Sequence, residues 1–133
     1  IRDLSPLNSL IQLEKVYLQD NQIVDLSPLA DHIQIRILDL SNNVIAHLDA
    51  LGGLSHLNTL ILNSNVISDI SPLSELRALE CLNLSGNVIQ NLKPLLQLPC
   101  LEQLFIDVKP EYEEVLKQLE DKRVEIIAVE YEK

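Results

Sequence analysis

Three histidines, two cysteines and one serine–histidine pair are the residues of this 133-residue chain best suited to chemistry. A zinc site needs Cys and His ligands at short, regular spacings, and His32, His47 and His56 have neither the spacing nor the cysteine partners. Ser55 and His56 are adjacent on a turn. A nucleophile and its base must instead meet in space, with a third group orienting the base. Gly52-Gly53 lacks the further glycines, the lysine and the strand–helix context of a phosphate loop. Asn83-Leu84-Ser85 has the form of a glycosylation sequon, which matters only in a secreted chain. Cys81 and Cys100 fall in different columns of neighbouring repeats, farther apart than the ~7 Å that a disulfide spans. Free thiols suit a reducing compartment. No catalytic residue, metal site or cofactor is expected.

The informative polar residues are amides. Asn21, Asn43, Asn65 and Asn87 recur every 22 residues within the frame Leu/Val-x-Leu-x-x-Asn-x-Ile. A fixed period in this range describes stacked structural units. Full repeats run over 13–34, 35–56, 57–78 and 79–100. A partial repeat (1–12) precedes them, and a degenerate repeat strand (101–109) and a C-terminal cap (110–133) follow. The whole is one domain. Residues Val16, Leu38, Leu60, Leu82 and Leu104 form one apolar column, and Leu18, Leu40, Leu62, Leu84 and Ile106 the next but one. That alternation is strand periodicity. Units that all travel the same way round must pair their strands in parallel, through right-handed returns. The asparagine follows each strand where the chain turns inward. Its amide has two donors and an acceptor with which to satisfy backbone of its own turn and the neighbouring turn.

The returns carry Ser5-Pro6-Leu7, Ser27-Pro28-Leu29 and Ser71-Pro72-Leu73, which read as an N-cap serine ahead of a proline at the first helical position. Asp49-Ala50 loses the proline, and Lys93-Pro94 loses the cap. Short 3-10 or single-turn helices are expected there. The preceding corner is Asp3, Asp25 or Asp69, and His47 or Asn91 elsewhere, as suits an exposed turn. His32 stands where Leu10, Leu54, Leu76 and Leu98 fill a column. The expectation is a local shift in which Ile33 fills the gap and the imidazole faces solvent.

The ends differ. Ile1 enters part-way through a repeat, without an amphipathic capping helix before it, so the array is expected to be the C-terminal portion of a longer one. At the other end Pro110 opens an amphipathic helix with Tyr112, Val115, Leu116 and Leu119 on one face. A final strand over 124–129 follows, with Ile126 and Ala128 in the strand columns and Glu130, Glu132 and Lys133 blunting its edge.

Aliphatic residues must fill the interior, because aromatics make up only 3% of a chain that is 47% hydrophobic. The net charge of −10 argues against nucleic acid, whose phosphates demand clustered Lys and Arg. No apolar run approaches the ~18–20 residues of a membrane span.

These frames resemble the leucine-rich-repeat superfamily. Within it they resemble the 22-residue class that includes the regulatory subunit of protein phosphatase 1 and the bacterial internalins. Gln22-Ile23-Val24-Asp25-Leu26-Ser27-Pro28-Leu29 and the matching run from Val66 to Leu73 carry the likeness, their Ser-Pro-Leu wording being internalin-like. Lys109 in the asparagine column, Ala50 for proline and His32 for leucine depart from it. The resemblance implies an α/β solenoid, a right-handed superhelix with a concave parallel sheet, convex 3-10 or helical segments and a C-terminal capping helix plus strand. On such a solenoid the outward strand residues line the concave face. They are Tyr17, Asp39, Ile61, Asn83 and Phe105 in one row, Lys15, Ile37, Thr59, Cys81 and Gln103 in a second, and Gln19, Ser41, Asn63, Ser85 and Asp107 in a third. Aromatic and aliphatic anchors amid small polar groups suit a protein interface. The expected function is non-enzymatic protein binding on that face by an intracellular, cytoplasmic module. Two alternatives stay open: a secreted or surface adhesion module like the internalins, and the recognition arm of a larger kinase, GTPase, ubiquitin ligase or phosphatase regulator.

Overall fold

A computed structural model of the chain describes residues 1–130. Six strands form one sheet in sequence order: β1 (Lys15–Tyr17), β2 (Ile37–Asp39), β3 (Thr59–Ile61), β4 (Cys81–Asn83), β5 (Gln103–Ile106) and β6 (Glu125–Ala128). Every neighbouring pair is parallel. Val16 opposes Leu38, which opposes Leu60, then Leu82, Leu104 and Ile126. The register repeats because a one-residue slip would send the buried leucines to the other face. Leu38, Leu60, Leu82 and Leu104 are fully buried, as are Leu40, Leu62, Leu84 and Ile106.

After each of β1 to β4 the backbone swings through a left-handed residue: Asp20 (φ 61°), Asn42 (φ 54°), Ser64 (φ 60°) and Gly86 (φ 68°). Glycine adopts this conformation without strain, Asp and Asn tolerate it, and Ser64 is the least suited of the four. The asparagine comes next and behaves as its amide chemistry requires. Asn43 Nδ2 donates to Leu40 O (3.0 Å) and Ser41 O (3.2 Å) in its own coil and to Leu18 O (3.1 Å) in the coil before. Its Oδ1 accepts from Ile23 N at 3.0 Å. Asn65 and Asn87 repeat this pattern one and two coils on.

The returns are 3-10 segments over Ser5–Leu7, Ser27–Leu29, Asp49–Leu51, Ser71–Glu75 and Lys93–Gln97. The expected serine caps are absent, since no serine side chain caps its segment. The cap comes from the corner residue two positions earlier. Asp3, Asp25 and Asp69 each accept the backbone N–H of Ser5, Ser27 and Ser71 at 2.9 Å, and Asn91 accepts that of Lys93 at 2.9 Å. An Asx side chain reaches the N–H two residues on without distorting the turn, whereas the serine already sits inside it.

His32 also departs from expectation. It is fully buried and Ile33 is 48% exposed, so the register does not shift. The imidazole occupies its leucine column because Nε2 finds an acceptor there, Leu7 O at 2.7 Å, and must therefore carry the proton. Nδ1 is buried without a partner.

The last coil keeps the period with different contents. Pro110–Tyr112 forms a 3-10 turn that leads into α1 (Glu113–Asp121), and Tyr112, Val115, Leu116 and Leu119 are buried, as the periodicity predicts. In earlier coils Val44 N, Val66 N and Val88 N donate to Ile23 O, Ile45 O and Ile67 O. Pro110 has no N–H to continue that row, and the Tyr112 hydroxyl donates to Ile89 O in its place (2.5 Å). Burial pushes the Tyr112 phenol up from its ordinary value. In β6, Ile126 and Ala128 pair with Leu104 and Ile106, the columns expected of them. Glu130 is exposed, while Glu132 and Lys133 lie outside the described residues.

Candidate protein-binding face

Strand residues flanking the buried leucines point away from the core, and the pairing aligns them into rows. Tyr17, Asp39, Ile61, Asn83 and Phe105 stand side by side, as do Lys15, Ile37, Thr59, Cys81 and Gln103. The rows continue through Ile127 and Glu125 of β6, two face residues that the sequence reading passed over. Their signal was present: Ile127 lies one period after Phe105. It was hidden because α1 replaces the usual return. Neighbouring strands lie about 4.8 Å apart, closer than the broader 3-10 returns can pack, so the sheet lines the inner curve of the solenoid.

The rows are not uniform. Tyr17, Lys15, Gln19 and Gln103 are exposed, and Ile37, Ile61, Phe105 and Ile127 are half-buried with apolar surface still open to solvent. Asp39 folds back onto its own chain, its Oδ1 accepting from Ser41 N (3.0 Å) and Ser41 Oγ (2.8 Å). Asn83 does the same with Ser85 N (3.1 Å) and Ser85 Oγ (2.7 Å), and Ser85 is itself buried. Gln103 Nε2 donates to Glu125 Oε1 at 2.9 Å, and Asp107 Oδ1 accepts from Gly86 N at 3.2 Å. Thr59 Oγ1 donates to Asn58 Oδ1 at 3.2 Å. Half-buried Asn63 sits one strand-end beyond Ile61. Thus several polar members of the face are already engaged, and the apolar ones have surface to offer. Asn21, Asn43, Asn65 and Asn87 belong to the interior seam, not to this surface.

Little here suits covalent chemistry. Cys81 and Cys100 are both free thiols, and burial pushes the Cys81 thiol up, away from the reactive thiolate. Among the described residues, no group of three or more His, Cys, Asp or Glu is placed to hold a metal ion. Nor is any described helix long and apolar enough to cross a membrane.

Parallel coils, one strand each, with an interior row of asparagines define a leucine-rich-repeat solenoid, a fold built as a protein-interaction module. Residues 5–121 match the family model described as leucine-rich repeat and WD repeat-containing protein 1, LRR, and the chain belongs to this leucine-rich-repeat family. The family and fold are typically those of non-enzymatic binding modules. The chain is similar to internalin C2 of Listeria monocytogenes, with 40% identity and a TM-score of 0.78 over 80% of this chain and 47% of that one. An internalin F of the same organism gives 26% identity and a TM-score of 0.81 over 96% of this chain and 37% of that one. A leucine-rich-repeat protein of Leptospira interrogans gives 26% identity and a TM-score of 0.85 over 95% and 34%. The chain therefore spans about a third to a half of the length of these solved chains. Among curated protein sequences, none matches it.

Proposed function

We propose that the chain is a non-enzymatic module that holds a protein partner across its concave sheet. The observation behind this reading is the row of outward Tyr17, Ile61, Phe105 and Ile127, with Ile37 beside it, on a surface whose small polar residues are hydrogen-bonded locally. Exposed aromatic and aliphatic anchors on a rigid sheet are the features that concentrate binding energy. Lys15, Thr59, Gln103, Gln19 and Asn63 supply the polar rim. Phe105→Ala and Tyr17→Ala are each expected to weaken binding of a captured partner by about 2 kcal/mol, roughly thirtyfold, in titration calorimetry. Their thermal unfolding should stay cooperative. A structure of the complex that leaves the sheet bare would overturn the assignment.

A second reading is favoured by the likeness to internalin C2 and by the Asp-Leu-Ser-Pro-Leu corner at 25–29. In it the same face serves a secreted or surface-displayed adhesion module. The free thiols of Cys81 and Cys100 suit the intracellular version better. A secretion signal or wall anchor in the parent gene would decide for adhesion.

A further inference from the structure

Beside the asparagine seam, and away from the sheet face, Val44, Val66 and Val88 form a second outward row. Each directly follows an asparagine, and the backbone N–H of each bonds to the coil before. Ile45, Ile67 and Ile89 next to them point inward and are buried, while the three valines are between 45 and 58% exposed. Exposed Val24 extends the row on its next outward column, sharing an open recess of about 630 Å³ with Val44, Gln22, Asp25 and Arg2. A row of exposed aliphatic side chains rimmed by polar groups is a kind of surface that protein contacts use.

At the border of the strip stand the carboxyls of Asp20, Asp25 and Asp69, with His47 and Asn91 at the corners of the coils that carry Val44 and Val88. Hydrogen bonds from Ser27 and Ser71 hold the Asp25 and Asp69 carboxyls below their ordinary value, so both are anionic at neutral pH. Asp20, at the strand side, accepts from Asn42 Nδ2 at 2.7 Å. Two cations stand toward the ends. Arg2 is bound to Gln22 Oε1 at 2.8 Å, and the Lys109 ammonium lies 5.8 Å from the Tyr112 ring centre.

The spacing selects the shape of the occupant. The coils advance about 4.8 Å each. An α-helix advances about 5.4 Å per turn, and alternate residues of a strand about 6.8 Å. Across the two steps from Val44 to Val88 a helix drifts by about 1.2 Å and a strand by about 4 Å, so one helical turn per valine stays in register. We infer that this flank is a second binding site, separate from the sheet, which docks a cationic amphipathic helix of a partner protein along Val44, Val66 and Val88.

The probe is a fluorescein-labelled synthetic peptide of about five helical turns, with leucines along one face and lysines on both borders, read by fluorescence anisotropy. Val also favours extended backbone for its own sake. The test variant is therefore V44T/V66T/V88T, which keeps the β-branch and removes the apolar surface. It is expected to unfold at the wild-type temperature and to bind the peptide about tenfold or more weakly. Val66→Lys alone, at an exposed position, should repel the peptide to a similar degree. Asp25→Asn with Asp69→Asn keeps the corner bonds, as Asn91 does, and should weaken binding at low salt but not at high salt. Tyr17→Ala and Phe105→Ala should leave peptide binding unchanged. Equal binding by a scrambled peptide, wild-type binding by the valine variants, or loss of binding in the sheet variants would overturn the inference. So would a chain dimer, seen by sedimentation, that the threonine variant dissolves, because the strip would then belong to a second copy.

Discussion

Asn65 Nδ2 reaches Leu40 O, Leu62 O and Asn63 O, and its Oδ1 holds Ile45 N. Leu40 O also accepts from Asn43, and Leu62 O from Asn87, so the carbonyls keep a partner when Asn65 is truncated, while Ile45 N loses its own. Asn65→Ala is expected to cost about 1–3 kcal/mol, the penalty for a buried donor left unmade. When residues 1–133 are expressed alone, Asn21→Ala should cost less, because there Asn21 reaches carbonyls of its own coil only and its Oδ1 accepts from the exposed Ile1 amine. Paired thermal melts of the two variants test the ordering. His32 is the opposite case, a buried polar residue with one of its two nitrogens unmatched. Leucine fits that column in the later coils, and Leu7 O would keep its bond from Leu10 N at 2.9 Å. His32→Leu is expected to raise stability by about 1 kcal/mol in urea unfolding.

At the scale of the elements, the returns depend on their corners. Backbone and hydroxyl hydrogen bonds from the following serine hold the carboxyls of Asp3, Asp25 and Asp69 below the usual range. A carboxyl more acidic in the folded chain than in the unfolded one stabilises fully above the unfolded value, about pH 4, and loses that contribution as pH falls through the folded value. Asp25→Asn with Asp69→Asn keeps the acceptor and removes the charge. The variant should melt below the wild type near neutral pH and lose melting temperature less steeply below about pH 4, so that the two converge in acid. The second full coil shows what happens without such a corner. His47 stands there, and no side chain accepts from the Asp49 N–H among the described residues. In the last coil a helix replaces the 3-10 return, yet β6 still pairs one period after β5. The closing strand sets the register, and the return needs only to span it.

Across the whole molecule, each coil is stabilised by its neighbours, so stability is graded along the axis. Ile1 is 68% and Leu10 48% exposed, whereas Ile23 and Leu54 in the same columns are fully buried. α1 covers the other end of the array with Val115, Leu116 and Leu119. In native-state hydrogen exchange of residues 1–133 expressed alone, the Leu10 amide is expected to exchange faster than its counterparts Leu54 and Leu76, although all three make the same 3-10 bond. Uniform protection along the array would refute graded stability.

The period of the asparagines and leucines by itself determined the solenoid, its parallel register, the inward columns and the outward rows. One spacing repeated five times leaves a single way to bury every leucine. Tertiary structure alone decided the exceptions, because each turns on which backbone group lies within reach in a neighbouring coil. His32 went inward because Leu7 O was there to receive it. The aspartates took the caps because their side chains reach the serine N–H. Asp39 and Asn83 were drawn into local bonds, and Ile127 joined the face once β6 paired with β5.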